Sequence, residues 1–275
     1  MIPAPLRYRR ASSVDEALAL AAEHGDDAKF LAGGHSLLPL MKLRLAQPEV
    51  LIDLGPLREL SYIRDAGGHV AIGGLTRHHD LEHSALLGQA VPLLAHAASQ
   101  VGDPQIRHRG TLGGSLAHGD PASDLPAVIL ALEAVLVARG PSGDREIPAT
   151  EFFAGLFETA LEPEELLVEI RVPKPAPAAG GWSFQKFTKR AIDWAIVGVA
   201  VQGGSVALVN MASTPVRAAG VERALAAGAG PRDAAAHAAE GTSPVEDINA
   251  TPAYREHLAR VLVGRALEEA AGRAG

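Results

Sequence analysis

The sequence predicts an α+β protein, and three observations support this fold class. The first fifty-odd residues alternate helical and strand patterns around a glycine-containing loop. A hairpin pattern follows at residues 60–75, and two further antiparallel strand patterns precede a largely helical last third. The 275 residues, 47% of them hydrophobic, can bury a core in one large domain or in two or three small ones.

Composition excludes several functional classes. The net charge of −7 disfavours general nucleic-acid binding. No apolar run approaches the roughly 18 residues of a membrane span, and "MIPAPLRYRRASS" lacks the apolar region of a signal peptide, so we expect a cytoplasmic protein. The absence of cysteine excludes disulfides, cysteine-ligated zinc and iron–sulfur clusters from this sequence.

The N-terminal segment predicts a small α/β unit. In "SSVDEALALAAEHG", Ser13 can cap a helix with Glu16 completing a capping box, and Gly25 can end it in the left-handed conformation. Strands are predicted at "AKFLA" and "VLIDL". Between them a helical stripe follows the glycine loop, formed by Leu37, Leu38, Leu40, Met41 and Leu45.

The middle of the chain predicts a hairpin that turns at Asp65 to Gly68, and one apolar helix over "LLGQAVPLLAHAASQVG". A glycine-containing loop then leads to a helix that begins near Asp124 and to a strand around 134–138. A further strand, "LLVEIRVP", ends at Pro173.

The proline- and glycine-rich stretch "KPAPAAGG" is the best candidate linker. Beyond it, "WSFQKFTKR" and "AIVGVAVQGGSVALVNMAS" predict antiparallel strands that turn at Gly203 and Gly204. The remainder is predicted to be mostly helical, and the Leu/Val stripe of "HLARVLVGRALEEA" is expected in the core or in a subunit contact.

Two glycine motifs offer phosphate-binding chemistry. Gly33 and Gly34 precede a helix and let the backbone approach a bulky anion, and Ser36 can cap the helix or donate to phosphate. The second motif, "GTLGGSLA" at 110–117, repeats the pattern with two hydroxyls, so facing loops with four or more free N–H groups would suit a diphosphate. The alternative is a pair of tight turns. Neither motif is a Rossmann fingerprint or a P-loop.

"AGGHSLLPLMKLRLAQPEVLIDL", "DPQIRHRGTLGGSLAHGDPASDLPA" and "IDW" together resemble the FAD-binding medium subunits of molybdenum hydroxylases, with the greatest likeness to aerobic carbon monoxide dehydrogenases. The resemblance extends over almost the whole chain. It implies a vanillyl-alcohol-oxidase/PCMH-type FAD-binding domain over residues 1–173, with subdomains at about 1–55 and 56–173. A C-terminal domain of antiparallel sheet and helices is implied for residues 180–275.

The resemblance also implies the cofactor contacts. The residues that would wrap the FAD diphosphate are Ala32, Gly33, Gly34, His35, Ser36, Thr111, Leu112, Gly113, Gly114 and Ser115. Serine stands at 115 where the family usually has asparagine. Asp120 and Asp124 would accept ribityl or ribose hydroxyls, Leu161 and Lys186 would lie near the flavin ring, and Trp194 would cover one of its faces.

Three of these predicted cofactor contacts also have a simpler interpretation. Asp124 could be a helix N-cap, Lys186 an exposed strand residue and Trp194 a core tryptophan. Similarly, His79 and His83 stand four apart with Asp80 and Glu82 nearby, and on a helix this spacing could hold a metal. No clear third ligand is evident, and a solvated helix face is expected. We therefore predict no metal site and no catalytic residue in this chain.

The resemblance implies an electron-transfer role. The molybdenum cofactor and [2Fe-2S] clusters would belong to a large and a small partner chain, in a dimer of heterotrimers. Electrons would pass through FAD to an external acceptor such as a quinone, NAD or oxygen, in the cytoplasm or at the inner face of the membrane. The alternatives are a self-contained flavoenzyme of the same fold and a flavin-free interaction module. Replacing both Gly33 and Gly114 by valine is expected to abolish flavin retention and leave the fold largely intact.

Overall fold

A computed structural model describes residues 2–176 and 180–273. Its N-terminal unit is a parallel sheet of order β1-β3-β2 with α1 packed against it. The elements are β1 (Arg7–Arg10), α1 (Val14–His24), β2 (Ala28–Leu31), α2 (Leu37–Lys42) and β3 (Val50–Asp53).

The helix caps and the secondary-structure elements predicted for this unit are largely confirmed. Ser13 caps α1 by accepting from the Glu16 N–H, while the Glu16 carboxylate accepts from the N–H of Ser12 rather than of Ser13. Gly25 ends the helix with φ +53° but ψ −133°, outside the left-handed helical region that was expected. The stripe after the glycine loop is shorter than predicted, because α2 ends at Lys42 and leaves Leu45 exposed.

The middle unit is built on an antiparallel sheet of order β4-β5-β10-β6-β7. Its elements are β4 (Ile63–Asp65), β5 (His69–Gly73), α3 (His78–Glu82), α4 (Ala85–Ala90), α5 (Pro92–Ser99), α6 (Pro104–Arg107), α7 (Leu112–His118), α8 (Asp124–Ala131), β6 (Val135–Gly140), β7 (Gly143–Pro148), α9 (Ala149–Phe152), β8 (Phe153–Gly155), β9 (Glu158–Thr159) and β10 (Leu166–Pro173). The predicted hairpin and the strand ending at Pro173 are confirmed.

Two predictions for this unit are wrong. The single helix over 86–102 is two helices, α4 and α5, because Pro92 cannot donate to the preceding turn and begins a new helix instead. The segment before Asp124 is not a loop. It contains α6 and α7, and the second glycine motif forms the first turn of α7.

The C-terminal unit is an antiparallel meander of order β11-β12-β13-β14 followed by helices. Its elements are β11 (Trp182–Phe187), β12 (Val197–Gln202), β13 (Ser205–Val209), β14 (Val216–Arg217), α10 (Ala219–Ala226), α11 (Pro231–Ala235) and α12 (Pro252–Arg273). The turn at Gly203 and Gly204 is confirmed. Part of the predicted linker, residues 177–179, lies outside the described residues.

Three apolar cores join the units into layers. One face of the five-stranded sheet, including Val137 and Val168, packs on α1 and the parallel sheet. Its other face packs on α5 and α8, whose far sides contact the C-terminal sheet through residues such as Ala200. The opposite face of that sheet is covered by α12, whose apolar stripe is buried as predicted. Of the helices in the described ranges, none is both long and apolar enough to cross a membrane.

Candidate functional site

A cavity of about 490 Å³ opens between the parallel sheet, α7, α8 and β11. This volume lies in the 300–1,000 Å³ range of small-molecule sites. Every residue predicted for the cofactor contributes to its wall except two, Leu112 and Asp120. The structure therefore brings together residues that are up to 162 positions apart in sequence, from Ala32 to Trp194.

The first glycine motif lines the cavity as a loop between β2 and α2. The N–H groups of Gly33, Gly34, His35 and Ser36 donate to no acceptor in the described part of the chain. Gly34 has φ +79°, a conformation that side chains other than glycine rarely adopt. Such a run of unpaired N–H groups is a ready site for an anion.

Gly33 is required for a reason that the sequence did not show. A Cβ on Gly33 would lie 2.2 Å from the carbonyl oxygen of Arg109 and 2.8 Å from Cα of Gly110. The segment that enters α7 therefore packs directly on the first motif. Valine at this position would push the two segments apart, so the expectation that the paired Gly33 and Gly114 substitutions leave the fold largely intact is wrong.

The N–H groups of the second motif donate hydrogen bonds to other groups of the protein. Thr111 caps α7 by accepting from Gly114, and the N–H groups of Leu112 and Gly113 donate to the carbonyls of Thr76 and Gly74, each at 2.9 Å. The prediction of free N–H groups on both loops is therefore wrong for the second one. What this motif presents to the cavity is chiefly its glycine surface together with Thr111 and Ser115. Leu112 points into the core and is fully buried.

Asp124 and Lys186 form an ion pair in the cavity wall. Nζ of Lys186 lies 2.7 Å from Oδ2 of Asp124 and also donates to the carbonyl of Gln100. Both side chains are buried, so Lys186 is not an exposed strand residue. Nor is Asp124 the N-cap of α8, since Ser123 occupies that position.

Burial raises the pKa of Asp124 to about 6, although the attraction of Lys186 opposes this rise. Oδ1 of Asp124 is buried and has no hydrogen-bond partner within the described ranges. This oxygen adjoins the cavity and could accept a ligand hydroxyl. The charge of Lys186 is largely balanced by Asp124, so it is a weaker electrostatic influence on the cavity than an isolated cation would be.

Trp194 stands at the cavity rim with 61% of its surface exposed, so the core interpretation is wrong. It also borders a second cavity of about 320 Å³, whose wall includes Asp120. Asp120 accepts from the N–H of Ala122 and thereby shapes the turn before α8. Its predicted contact with the cofactor remains a prediction.

His78 is a cavity residue that sequence reasoning missed. It begins α3, is 4% exposed, and its Nδ1 has no partner in the described part of the chain. Burial lowers its pKa to about 4, so the ring is neutral near pH 7. The sequence signal was present in "RHHDLEHS", but the pattern does not tell which of these histidines points inward.

Comparison with known families identifies the protein family to which the chain belongs. Residues 4–175 match the family described as the FAD binding domain in molybdopterin dehydrogenase, and residues 182–270 match the CO dehydrogenase flavoprotein C-terminal domain. The chain belongs to this FAD-binding flavoprotein family. The predicted family and fold class are thereby confirmed.

Individual relatives of this flavoprotein family match over their full length. The chain is 44% identical to the carbon monoxide dehydrogenase medium chain of Hydrogenophaga pseudoflava, and the alignment covers 98% of each chain. It is 40% identical to 6-hydroxypseudooxynicotine dehydrogenase complex subunit alpha of Paenarthrobacter nicotinovorans, and that alignment covers 100% of this chain and 97% of the relative. A solved carbon monoxide dehydrogenase structure from Hydrogenophaga pseudoflava superimposes with a TM-score of 0.95 at 45% identity, covering 100% of both chains.

The residues of the cavity fit the family's FAD. Within residues 2–176 and 180–273, the four N–H groups at 33–36 have no acceptor, which suits the negatively charged diphosphate, and the buried Oδ1 of Asp124 is an unused acceptor for a hydroxyl. Trp194 and Leu161 supply apolar surface to the cavity wall. The first motif is thus the part of the site whose chemistry is most specific for this cofactor.

Proposed function

We propose that this chain is the FAD-binding, electron-transfer subunit of a molybdenum hydroxylase of the carbon monoxide dehydrogenase type. The observation that carries the proposal is the row of four N–H groups at 33–36, which have no acceptor among the residues that the structure describes and lie in a cavity lined by all three units. Full-length similarity to carbon monoxide dehydrogenase medium chains supports the assignment of the reaction class.

The residues of this chain bind and orient rather than react. The first glycine motif would hold the diphosphate, the Asp124–Lys186 pair would line the cavity between the diphosphate and the ring, and Trp194 would shield one ring face from water. Bound FAD supplies the ability to take up electrons one at a time and to release them singly or in pairs. No side chain of the cavity is assigned an acid–base step.

The partners belong to the proposal as well. We place a molybdenum cofactor on a large chain and [2Fe-2S] clusters on a small chain, because this sequence has no cysteine with which to ligate a cluster. Electrons then leave to an external acceptor such as a quinone, in the cytoplasm or at the inner face of the membrane. We further propose that residues 1–173 and 180–275 are the two domains of the subunit.

One experiment tests both function and partners. The native assembly is captured through this chain, and its flavin, molybdenum and iron are measured together with dye reduction by carbon monoxide. We expect two additional chains, one FAD per chain and carbon monoxide-dependent reduction. Activity on another substrate with all three components would keep the subunit role and reject the carbon monoxide assignment.

The alternative is a self-contained FAD-dependent oxidoreductase of the same fold. It predicts FAD in the isolated chain, substrate turnover without partners, and no molybdenum or iron in the captured material. Capture of a colourless chain that takes up no FAD would instead favour the flavin-free interaction module and would contradict the proposal.

A further inference from the structure

We propose that His79, Glu82 and His83 form a binding site for one divalent transition-metal ion of the Zn²⁺ class. His79 and Glu82 lie on α3 and His83 caps its C-terminus, so their spacings of three and four from His79 place the side chains on one side of this helical turn. One ligand atom from each lies within 4.8 Å of the other two. Of the two acidic residues near the histidines in sequence, Glu82 is therefore the third ligand.

The histidine rings of this site are packed together, and a hydrogen bond orients one of them. The ring of His79 packs against the rings of His83 and His108, with centroid distances of 4.2 Å and 4.0 Å. Nδ1 of His83 lies 2.9 Å from the carbonyl oxygen of His79, an arrangement in which Nδ1–H donates and Nε2 keeps its lone pair.

Glu82 is held in place by a second residue. Its Oε2 accepts from Nε of Arg107 at 2.8 Å, and Arg107 is itself anchored to the carbonyl of Val101. Oε1 takes no part in that ion pair and can coordinate a metal, in the way that ligating carboxylates are commonly oriented by a further hydrogen bond. The nearby guanidinium repels a cation, so we expect weaker binding than at structural zinc sites.

Small rotations are enough to complete the site. Ligand atoms in a tetrahedral zinc site lie about 3.3 Å apart, since each is about 2.0–2.1 Å from the metal. The side chain of His83 is 61% exposed, which leaves space for a small movement, and a water molecule can take a fourth position. A site made of two imidazoles and one carboxylate favours Zn²⁺ over Mg²⁺ or Ca²⁺, which prefer oxygen ligands.

The site lies on the outer side of the cofactor cavity. His78, the residue before His79, lines that cavity, and His108 precedes Arg109, whose carbonyl packs on Gly33. A metal ion on α3 would therefore stiffen the wall against which the first glycine motif rests. The inference does not depend on which reaction the assembly catalyses.

Calorimetric titration of the untagged full chain with ZnCl₂ tests the proposal. We expect one ion per chain, with affinity reduced tenfold or more in His79→Gln and in His83→Gln. His257→Gln is the matched control, because it also removes a single histidine from a helix surface, on α12, and should bind as the unchanged chain does.

A second readout separates loss of ligands from loss of structure. Co²⁺ bound at this site should give visible absorption bands typical of low-coordinate cobalt, and these should vanish in His83→Gln while its urea unfolding midpoint stays the same. If the full chain took up no Zn²⁺, or if both variants bound it as tightly as the His257→Gln control, the site would be rejected.

Discussion

Lys186 of β11 and Asp124 at the start of α8 are joined by a buried ion pair, with 2.7 Å between Nζ and Oδ2. The pair connects the C-terminal sheet to the helical layer of the middle unit at the wall of the cofactor cavity. Buried pairs of this kind add little net stability when intact, because desolvation offsets much of the attraction. Their importance appears when one partner is removed.

Lys186→Met should therefore destabilise the chain by about 3–5 kcal/mol, because it leaves the carboxyl of Asp124 buried without its counter-charge. Urea unfolding at pH 7.5 measures the effect. The double variant Asp124→Asn with Lys186→Met should recover much of the loss. Lys174→Met, which breaks the exposed pair with Asp65, should change stability by no more than about 1 kcal/mol. Equal effects of the two single methionine variants would contradict the role given to burial.

The neutral ring of His78 should make stability depend on pH. Because its pKa is lowered to about 4 in the folded chain from an ordinary value near 6.5, its contribution is present above pH 6.5 and is lost as pH falls towards 4. The free energy of unfolding falls by about 3 kcal/mol when the whole difference between the folded and unfolded pKa of His78 is expressed. Asp124 acts in the opposite direction: its raised pKa favours the folded chain at low pH, and this contribution is lost as pH rises through about 6.

His78→Gln isolates the histidine from the aspartate. Urea unfolding of the variant and of the unchanged chain at several pH values between 4.5 and 7.5 should show a difference in stability that shrinks as the pH falls. A difference independent of pH would show that His78 is not buried as a neutral ring.

Gly33 should be intolerant of even one methyl group. Gly33→Ala is expected to cost about 1–3 kcal/mol and to weaken FAD binding, since its Cβ would meet the Arg109 carbonyl at 2.2 Å. Gly88, within α4, is the control. A Cβ there meets nothing within 4 Å, so Gly88→Ala should gain up to about 1 kcal/mol from helix propensity. Unfolding midpoints and flavin titration distinguish the two variants. Normal flavin affinity in Gly33→Ala would argue against the role given to the first glycine motif in binding the diphosphate.

The two glycine motifs show how far the sequence leads. Gly33, Gly34, Gly113 and Gly114 were identified from the pattern alone, and the structure places all four on one cavity. The sequence could not show which of the two motifs keeps its N–H groups free for a ligand. Whether an N–H group is free depends on carbonyls brought by tertiary packing, such as those of Gly74 and Thr76 beneath the second motif.

The same limit applies to single side chains. Local pattern allowed Asp124 to be a cap, Lys186 a surface residue and Trp194 a core residue, and the structure contradicts all three. Each outcome is decided by a partner or a cavity distant in sequence, for which helical or strand periodicity carries no signal. The antiparallel strands and α12 were predictable because their burial follows from period alone.

Trp194 should report on cofactor binding. The chain has two tryptophans, and Trp182 can be replaced by phenylalanine to leave Trp194 as the sole one. FAD added to Trp182→Phe should quench its fluorescence strongly, because Trp194 lies at the cavity rim. Trp194→Ala should weaken FAD binding but alter stability by no more than about 0.5 kcal/mol, since the side chain is mostly exposed. An unquenched Trp194 would place the flavin elsewhere.

Arg255 should be the most sensitive charged residue of α12. Its guanidinium is buried, lies 2.7 Å from Asp247, and donates to the carbonyl of Ile196, two residues beyond Trp194. Arg255→Met should cost about 1–3 kcal/mol in urea unfolding, because the buried carbonyl of Ile196 loses its charged donor, whereas water can solvate the half-exposed Asp247. Arg260→Met, five residues further along α12, removes only an exposed pair with Glu256 and should cost about 0.5 kcal/mol or less. Because Arg255 anchors the backbone beside Trp194, its loss should also lower FAD affinity, and an Arg255→Met chain with unchanged affinity would show that the anchor does not position the cavity rim.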